Sequence, residues 1–150
     1  MSIKRNTRVL IVDDNAHSRS ILKAILASAG VEVRECESGP AALATLELWP
    51  CDLVITDYEM RPMNGLDLVH AIRQHRNPGL RARGVLMITA FGDQQLVLEA
   101  RAAGVDGLVP KPFGTGIVLE RVQSALERSA VRMAETSTGA APKLAFYDLA

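Results

Sequence analysis

The chain predicts an α/β fold built on one parallel sheet, and three observations support this. Short apolar runs, Val9-Leu10-Ile11-Val12, Leu53-Val54-Ile55-Thr56, Val85-Leu86-Met87-Ile88 and Leu108-Val109-Pro110, each run into a polar residue. Segments with apolar residues at helical spacing separate them, so strand and helix signals alternate five times. The runs are also nearly continuous rather than alternating, as in strands covered by helices on both faces.

The first strand spans about Arg8 to Val12. A helix follows from near Ala16 to Ala29, with Ile21, Leu22, Ile25 and Leu26 at helical spacing and Gly30 as its stop. Val31 to Cys36 alternates apolar and polar residues, as a strand nearer the sheet edge would. Ser38 caps the next helix, which carries Pro40 in its first turn and runs to about Leu48. Leu53 to Thr56 is the third strand. Tyr58 to Asn64 is a loop, and a helix covers Gly65 to about His75 with Leu66, Val69 and Ile72 facing inward. Arg76 to Arg83 reads as a polar loop. Gly84 to Thr89 is the fourth strand, and Asp93 caps a helix ending at Gly104. Asp106 to Val109 is a short fifth strand. The last helix runs from about Gly114 to Arg132 on a stripe of Ile117, Val118, Val122, Ala125 and Leu126. Such alternation implies right-handed crossovers and a doubly wound, flavodoxin-like sheet, five parallel strands in the order 2-1-3-4-5 with helices on both faces.

The 150 residues fit one domain with a short remainder, and 48% apolar content is enough for a core without staples. The expected division is a domain over 1–133 and a flexible tail over 134–150, where small and polar residues precede Leu144, Phe146 and Tyr147. Seventeen basic residues balance seventeen acidic ones, which argues against direct nucleic-acid binding. Cys36 and Cys51 lack metal-ligand spacing and read as reduced thiols of a cytoplasmic protein. No run is long enough to cross a bilayer, so no membrane insertion is expected. His17, His70 and His75 are off ligand spacing, and Arg73, Arg76, Arg81 and Arg83 read as a solvated basic cluster.

In the predicted sheet the strands' carboxyl ends share one edge, and ligands bind in the crevice beyond it. Asp13, Asp14, Asp57, Thr89 and Lys111 therefore surround one pocket, and the two acidic clusters meet where strand order reverses. Hard oxygen ligands with an open side suit Mg²⁺. Alone, Asp14 or Asn15 could equally cap the first helix; beside Asp57, three carboxylates repel unless a cation is present. Asp57 is the candidate nucleophile, since carboxylates form aspartyl phosphates whose charge a metal and a lysine can neutralise. Its bland alternative, a turn aspartate, leaves unexplained why Thr89 and Lys111 end the neighbouring strands. Lys111 suits phosphate as a point charge, and Pro112 invites a cis bond that would aim the lysine inward. Thr89 offers a hydroxyl to a phosphoryl oxygen.

Val12-Asp13-Asp14, Asp57 with Met60, Met63 and Gly65 downstream, Thr89-Ala90 and Lys111-Pro112-Phe113 together resemble the response-regulator receiver domain of two-component signalling, over about Arg8 to Met133. The resemblance implies a phospho-accepting switch that assists its own Mg²⁺-dependent phosphorylation and dephosphorylation, rather than a turnover enzyme. It implies that Asp57 accepts phosphate from a phosphohistidine on a sensor histidine kinase or phosphotransfer protein. It also implies Mg²⁺ held by Asp14, Asp57 and the Glu59 carbonyl, with Asp13 acting mostly through water, while Lys111 grips the phosphoryl group and Thr89 moves toward it. A single-domain receiver of the chemotaxis or phosphorelay-shuttle type would signal to a downstream protein through the fourth helix, fifth strand and last helix; pairing into a homodimer stays open.

Three departures stand out. Leu108 replaces the usual switch aromatic. Met60-Arg61-Pro62 moves the usual proline one place along. Glu59 and Phe91 occupy the variable positions beside the site and are expected to limit water's approach and lengthen phosphoryl lifetime. The rivals are a haloacid-dehalogenase-like phosphatase, a receiver-like module that never takes phosphate, and a flavodoxin. The first wants Asp-x-Asp after strand one, and the last wants a Ser/Thr/Gly-rich phosphate loop there; this chain has neither.

Overall fold

The computed structural model describes residues 3–90 and 93–138, with side chains to 135. Five strands, β1 (Arg8–Val12), β2 (Glu32–Cys36), β3 (Leu53–Asp57), β4 (Gly84–Thr89) and β5 (Gly107–Pro110), form one sheet. Its order is β2-β1-β3-β4-β5, with every neighbouring pair parallel. The helices are α1 (Ala16–Ser28), α2 (Gly39–Leu48), α3 (Gly65–Arg73), the short α4 (Pro78–Arg81), α5 (Gln94–Ala103) and α6 (Thr115–Thr138).

Side-chain alternation along β1 sorts the core into two layers. Leu10 and Val12 pack with Ala42 and Leu46 of α2, Leu68 and Ile72 of α3 and Leu96 and Ala100 of α5. Val9 and Ile11 face the other way, onto Leu22 and Leu26 of α1 and Val118 and Val122 of α6. β1, β3 and β4 are buried along almost their whole length, whereas the edge strand β2 buries only Cys36 fully. This is the alternation its sequence showed.

Helix ends follow the expected local chemistry. Ser38 accepts from the Ala41 amide at α2, with Pro40 in the first turn. Asp93 accepts from the Gln95 amide at α5, and Gly104 closes that helix at φ 100°, a conformation that favours glycine.

Three readings need correction. The segment taken as a polar loop contains α4, because Asn77 accepts from the Gly79 and Leu80 amides and Leu80 is buried. Arg73 does not belong to a solvated cluster. It ends α3 with its guanidinium on the carbonyls of Arg81, Arg83 and Gly104 and on buried Asp106. Finally, α6 continues to Thr138, so residues 134–138 are helical rather than linker; the rest of the expected tail lies outside the described residues.

Candidate functional site

The strand ends position the site. Beyond β1 the Asp13 amide still donates to the Cys36 carbonyl at 3.1 Å, which holds this residue against β2. The Asp13 carboxylate then accepts from the Asn15 amide at 2.9 Å, and Asn15 caps α1 by accepting from Ser18 at 2.9 Å. Capping therefore falls to Asn15, and Asp14 stays exposed. Arg19 of α1 donates to the Asp13 carbonyl at 2.7 Å and pairs with Glu35 at 3.2 Å, tying the ends of β1 and β2 together.

Asp57 closes β3 opposite Ile88 of β4. Its successor Tyr58 donates to the Ile88 carbonyl, and the Gly65 amide donates back to the Tyr58 carbonyl, both at 2.8 Å. The β3–α3 loop is thus closed at its base and held by buried Met60 and partly buried Met63. A reciprocal cap starts α3: Asn64 accepts from the Asp67 amide at 2.9 Å, and Asp67 accepts from the Asn64 amide at 3.1 Å. Gly65 is needed there because a Cβ would lie 2.5 Å from the Asp57 carbonyl oxygen and 2.9 Å from the Tyr58 Cα.

Thr89 ends β4 as a buried residue, and its carbonyl accepts from the Lys111 amide at 2.9 Å. The Lys111–Pro112 bond is cis, as expected. Lys111 Nζ reaches Asp57 Oδ1 at 2.8 Å. One oxygen from each of Asp13, Asp14 and Asp57 lies within 4.8 Å of the others. Asp13 is 2% exposed and Asp57 5%, so two of these three carboxylates are shielded from water.

Burial dominates their electrostatics. It pushes the Asp13 carboxyl above its ordinary value, opposed by the Asn15 amide and reinforced by the charge on Asp57. It also pushes Asp57 up, although the hydrogen bond and charge of Lys111 resist. For Lys111, burial acts downward but is outweighed by Asp57 together with Asp13 and Glu59, so the ammonium is held above its usual range. The lysine thus rests on one oxygen of Asp57, with the Asp13 and Asp14 carboxylates close by.

Every sequence-predicted site residue among the described ones sits at this edge. Asp13, Asp14, Asp57 and Lys111 converge, Thr89 is tied to the Lys111 backbone, and exposed Glu59 borders the pocket. Asp14, Tyr58, Glu59, Met60, Arg61 and Asn64 line an open cleft of about 460 Å³ that meets the acidic cluster at Asp14. Leu108 is half-buried against the α2–α3–α5 core layer. Phe91 falls outside the described residues. Two positioning residues had no assigned role in the sequence: Gly65, which was noted only as part of the motif, and Arg19. The Asn64-x-x-Asp67 spacing was a legible signal for the cap, whereas Arg19 acts across three elements and carried none.

The family model for the response regulator receiver domain matches residues 9–123 of this chain. Chemotaxis protein CheY-3 of Vibrio cholerae is 36% identical over 127 residues, covering 84% of this chain and 96% of that protein. Chemotaxis protein CheY of Pseudomonas aeruginosa is 36% identical over 122 residues, covering 81% and 97%. The solved structure of the chemotaxis response regulator CheY4 of Vibrio cholerae superposes with a TM-score of 0.74 at 30% identity, covering 80% of this chain and 98% of that one.

Proposed function

This chain belongs to the response-regulator receiver family, and from that premise we propose that Asp57 is the residue that takes the phosphoryl group. Receiver domains are phospho-accepting switches of two-component signalling, and they interact with histidine kinases or phosphotransfer proteins. The observation that carries the assignment is the 2.8 Å contact from Lys111 Nζ to Asp57 Oδ1 inside a cluster of three carboxylates.

The free oxygen of Asp57 attacks phosphorus while the bond from phosphorus to the donor's imidazole nitrogen breaks, and the electron pair returns to the ring. An aspartyl phosphate and an unmodified histidine result. Lys111, already beside Asp57, pairs with the phosphoryl oxygens, whose negative charge replaces that of the esterified carboxylate as its partner. The Thr89 hydroxyl donates to another of these oxygens. A second displacement, attack by water on the same phosphorus, breaks its bond to Asp57, restores the carboxylate, releases inorganic phosphate and resets the switch.

The donor set fits a hard divalent cation, because two shielded carboxylates and an exposed one converge without enough positive charge to balance them. Asp13, Asp14, Asp57 and the Glu59 carbonyl would hold Mg²⁺, with Asp13 acting mainly through water. When bound, it supplies charge neutralisation on the transferred group.

Phosphorylation is read through the surface formed by α5, β5 and α6, by a protein partner rather than a nucleic acid. Leu108 has no hydroxyl, so any coupling from Thr89 to that surface runs through packing. Two buried free cysteines suit a reducing cytoplasm, and no helix among the described residues is long and apolar enough to cross a membrane. Incubation with acetyl phosphate and Mg²⁺, followed by intact-mass analysis, tests the assignment. Wild type gains one phosphoryl group and Asp57→Asn gains none; loading of the variant, or no loading of wild type, refutes it.

A further inference from the structure

The pocket presents an electrostatic difficulty to its own substrate. A phosphoryl donor is an anion, yet Asp13, Asp14, Asp57 and Glu59 meet it at the sheet edge. The nearby cations are mostly engaged. Lys111 is held by Asp57, and Arg19 by the Asp13 carbonyl, Glu35 and Glu37. Arg61 differs: it is exposed, lines the cleft with Asp14 and Glu59, and makes no ion pair or side-chain hydrogen bond among the described residues. Its backbone is nevertheless well anchored, because Met60 on one side is 6% exposed and Met63 on the other packs against the core. A guanidinium on such a base can offer two parallel N–H donors to a phosphoryl group.

Accepting the assignment of Asp57 as the phosphoacceptor, we propose that Arg61 recruits the anionic donor. Its guanidinium engages phosphoryl oxygens at the cleft mouth and passes the group to Asp57, Lys111 and Thr89. The ligand class is a phosphoryl anion with a good leaving group, whether bonded to nitrogen or to an acyl oxygen. The displaced proline of Met60-Arg61-Pro62 then has a use, since it leaves an arginine directly after buried Met60.

Placing a cation beside a metal-binding acid cluster has a second effect of opposite sign, because it repels Mg²⁺. The two effects together provide the test. Wild type, Arg61→Gln, Arg61→Lys and Asp57→Asn are compared as full chains, with melting temperature confirming that each is folded. Loading rate is measured with acetyl phosphate and with phosphoramidate across a salt series, and Mg²⁺ affinity by thermal shift without donor. Arg61→Gln is expected to lower the second-order loading rate about three- to ten-fold with both donors and to flatten its salt dependence. The same variant should bind Mg²⁺ about two-fold or more tightly, and Arg61→Lys should restore most of the rate.

Unchanged loading in Arg61→Gln overturns the proposal. So does a fall in both loading and Mg²⁺ affinity, which would mean a collapsed loop, and so does an effect confined to one donor, which would mean recognition of its leaving group. Failure of wild type to load at all, or loading of Asp57→Asn, would instead refute the phosphoacceptor assignment.

Discussion

At the scale of single residues, the site depends on one glycine and on two carboxyls held against their preference. Any side chain at position 65 collides with the Asp57 carbonyl and the Tyr58 Cα, which are backbone atoms that cannot rotate away. Gly65→Ala therefore moves the start of α3 against the end of β3, costing about 1–3 kcal/mol of stability. Loading of Asp57 should slow by about ten-fold or more, since small misplacements of reacting groups are expensive; a melt and a loading assay on one preparation check both. Asp13 and Asp57 retain their protons in the fold at a pH where the unfolded chain, near 3.8, has lost them. The native state then binds more protons, so metal-free stability falls as pH rises from that value through the raised native ones. Lys111 acts at the other end, contributing stability that is complete below 10.5 and lost as pH passes its raised native value. Asp13→Asn keeps an oxygen for the Asn15 amide while removing a buried charge. It should raise metal-free stability at neutral pH by about 1 kcal/mol and weaken the thermal shift caused by Mg²⁺. Melting curves with and without Mg²⁺ provide the measurement.

At the scale of elements, the sheet pole opposite the site is held by an ion-pair hub that the sequence did not reveal. Asp106, just before β5, accepts from Arg132 of α6 at 2.7 and 2.8 Å, from Arg73 of α3 at 3.1 Å and from the Val85 amide at 2.9 Å. Arg132 also donates to the Ala82 and Arg83 carbonyls. Burial, with Arg132 close by, pulls the Arg73 guanidinium down to about 10, while Asp106 resists. Removing the carboxylate leaves two guanidiniums facing each other, so Asp106→Ala should cost about 3 kcal/mol. Asp57 loading should change little, because β5 separates the hub from Lys111 by about 16 Å; denaturant melts and phosphoryl loading read the two effects separately. The arginines were visible in the sequence, but their partner stands 33 residues from Arg73 and 26 from Arg132. Periodicity and capping rules read only neighbours along the chain. The same limit explains α4: a four-residue helix carries no periodic signal, and only the Asn77 cap and buried Leu80 reveal it.

At the scale of the whole molecule, strand order follows from apolar runs separated by amphipathic helices, because a parallel sheet covered on both faces leaves few topologies open to such a chain. Strand, helix and cap signals are local, so β1, β4 and the starts of α1, α2, α3 and α5 were legible directly from composition and spacing. Placing Asp13, Asp14, Asp57, Thr89 and Lys111 on one edge needed only the rule that parallel strands end together. Tertiary structure alone decided what those groups do to one another: the lysine lies on Asp57, Asn15 rather than Asp14 caps α1, and the Met60–Met63 loop puts Arg61 in the lining of the cleft beside Asp14. The division has a physical cause. Backbone periodicity is encoded within a few residues, whereas side-chain contacts, burial and the field at a carboxylate come from segments that meet only after the chain has folded.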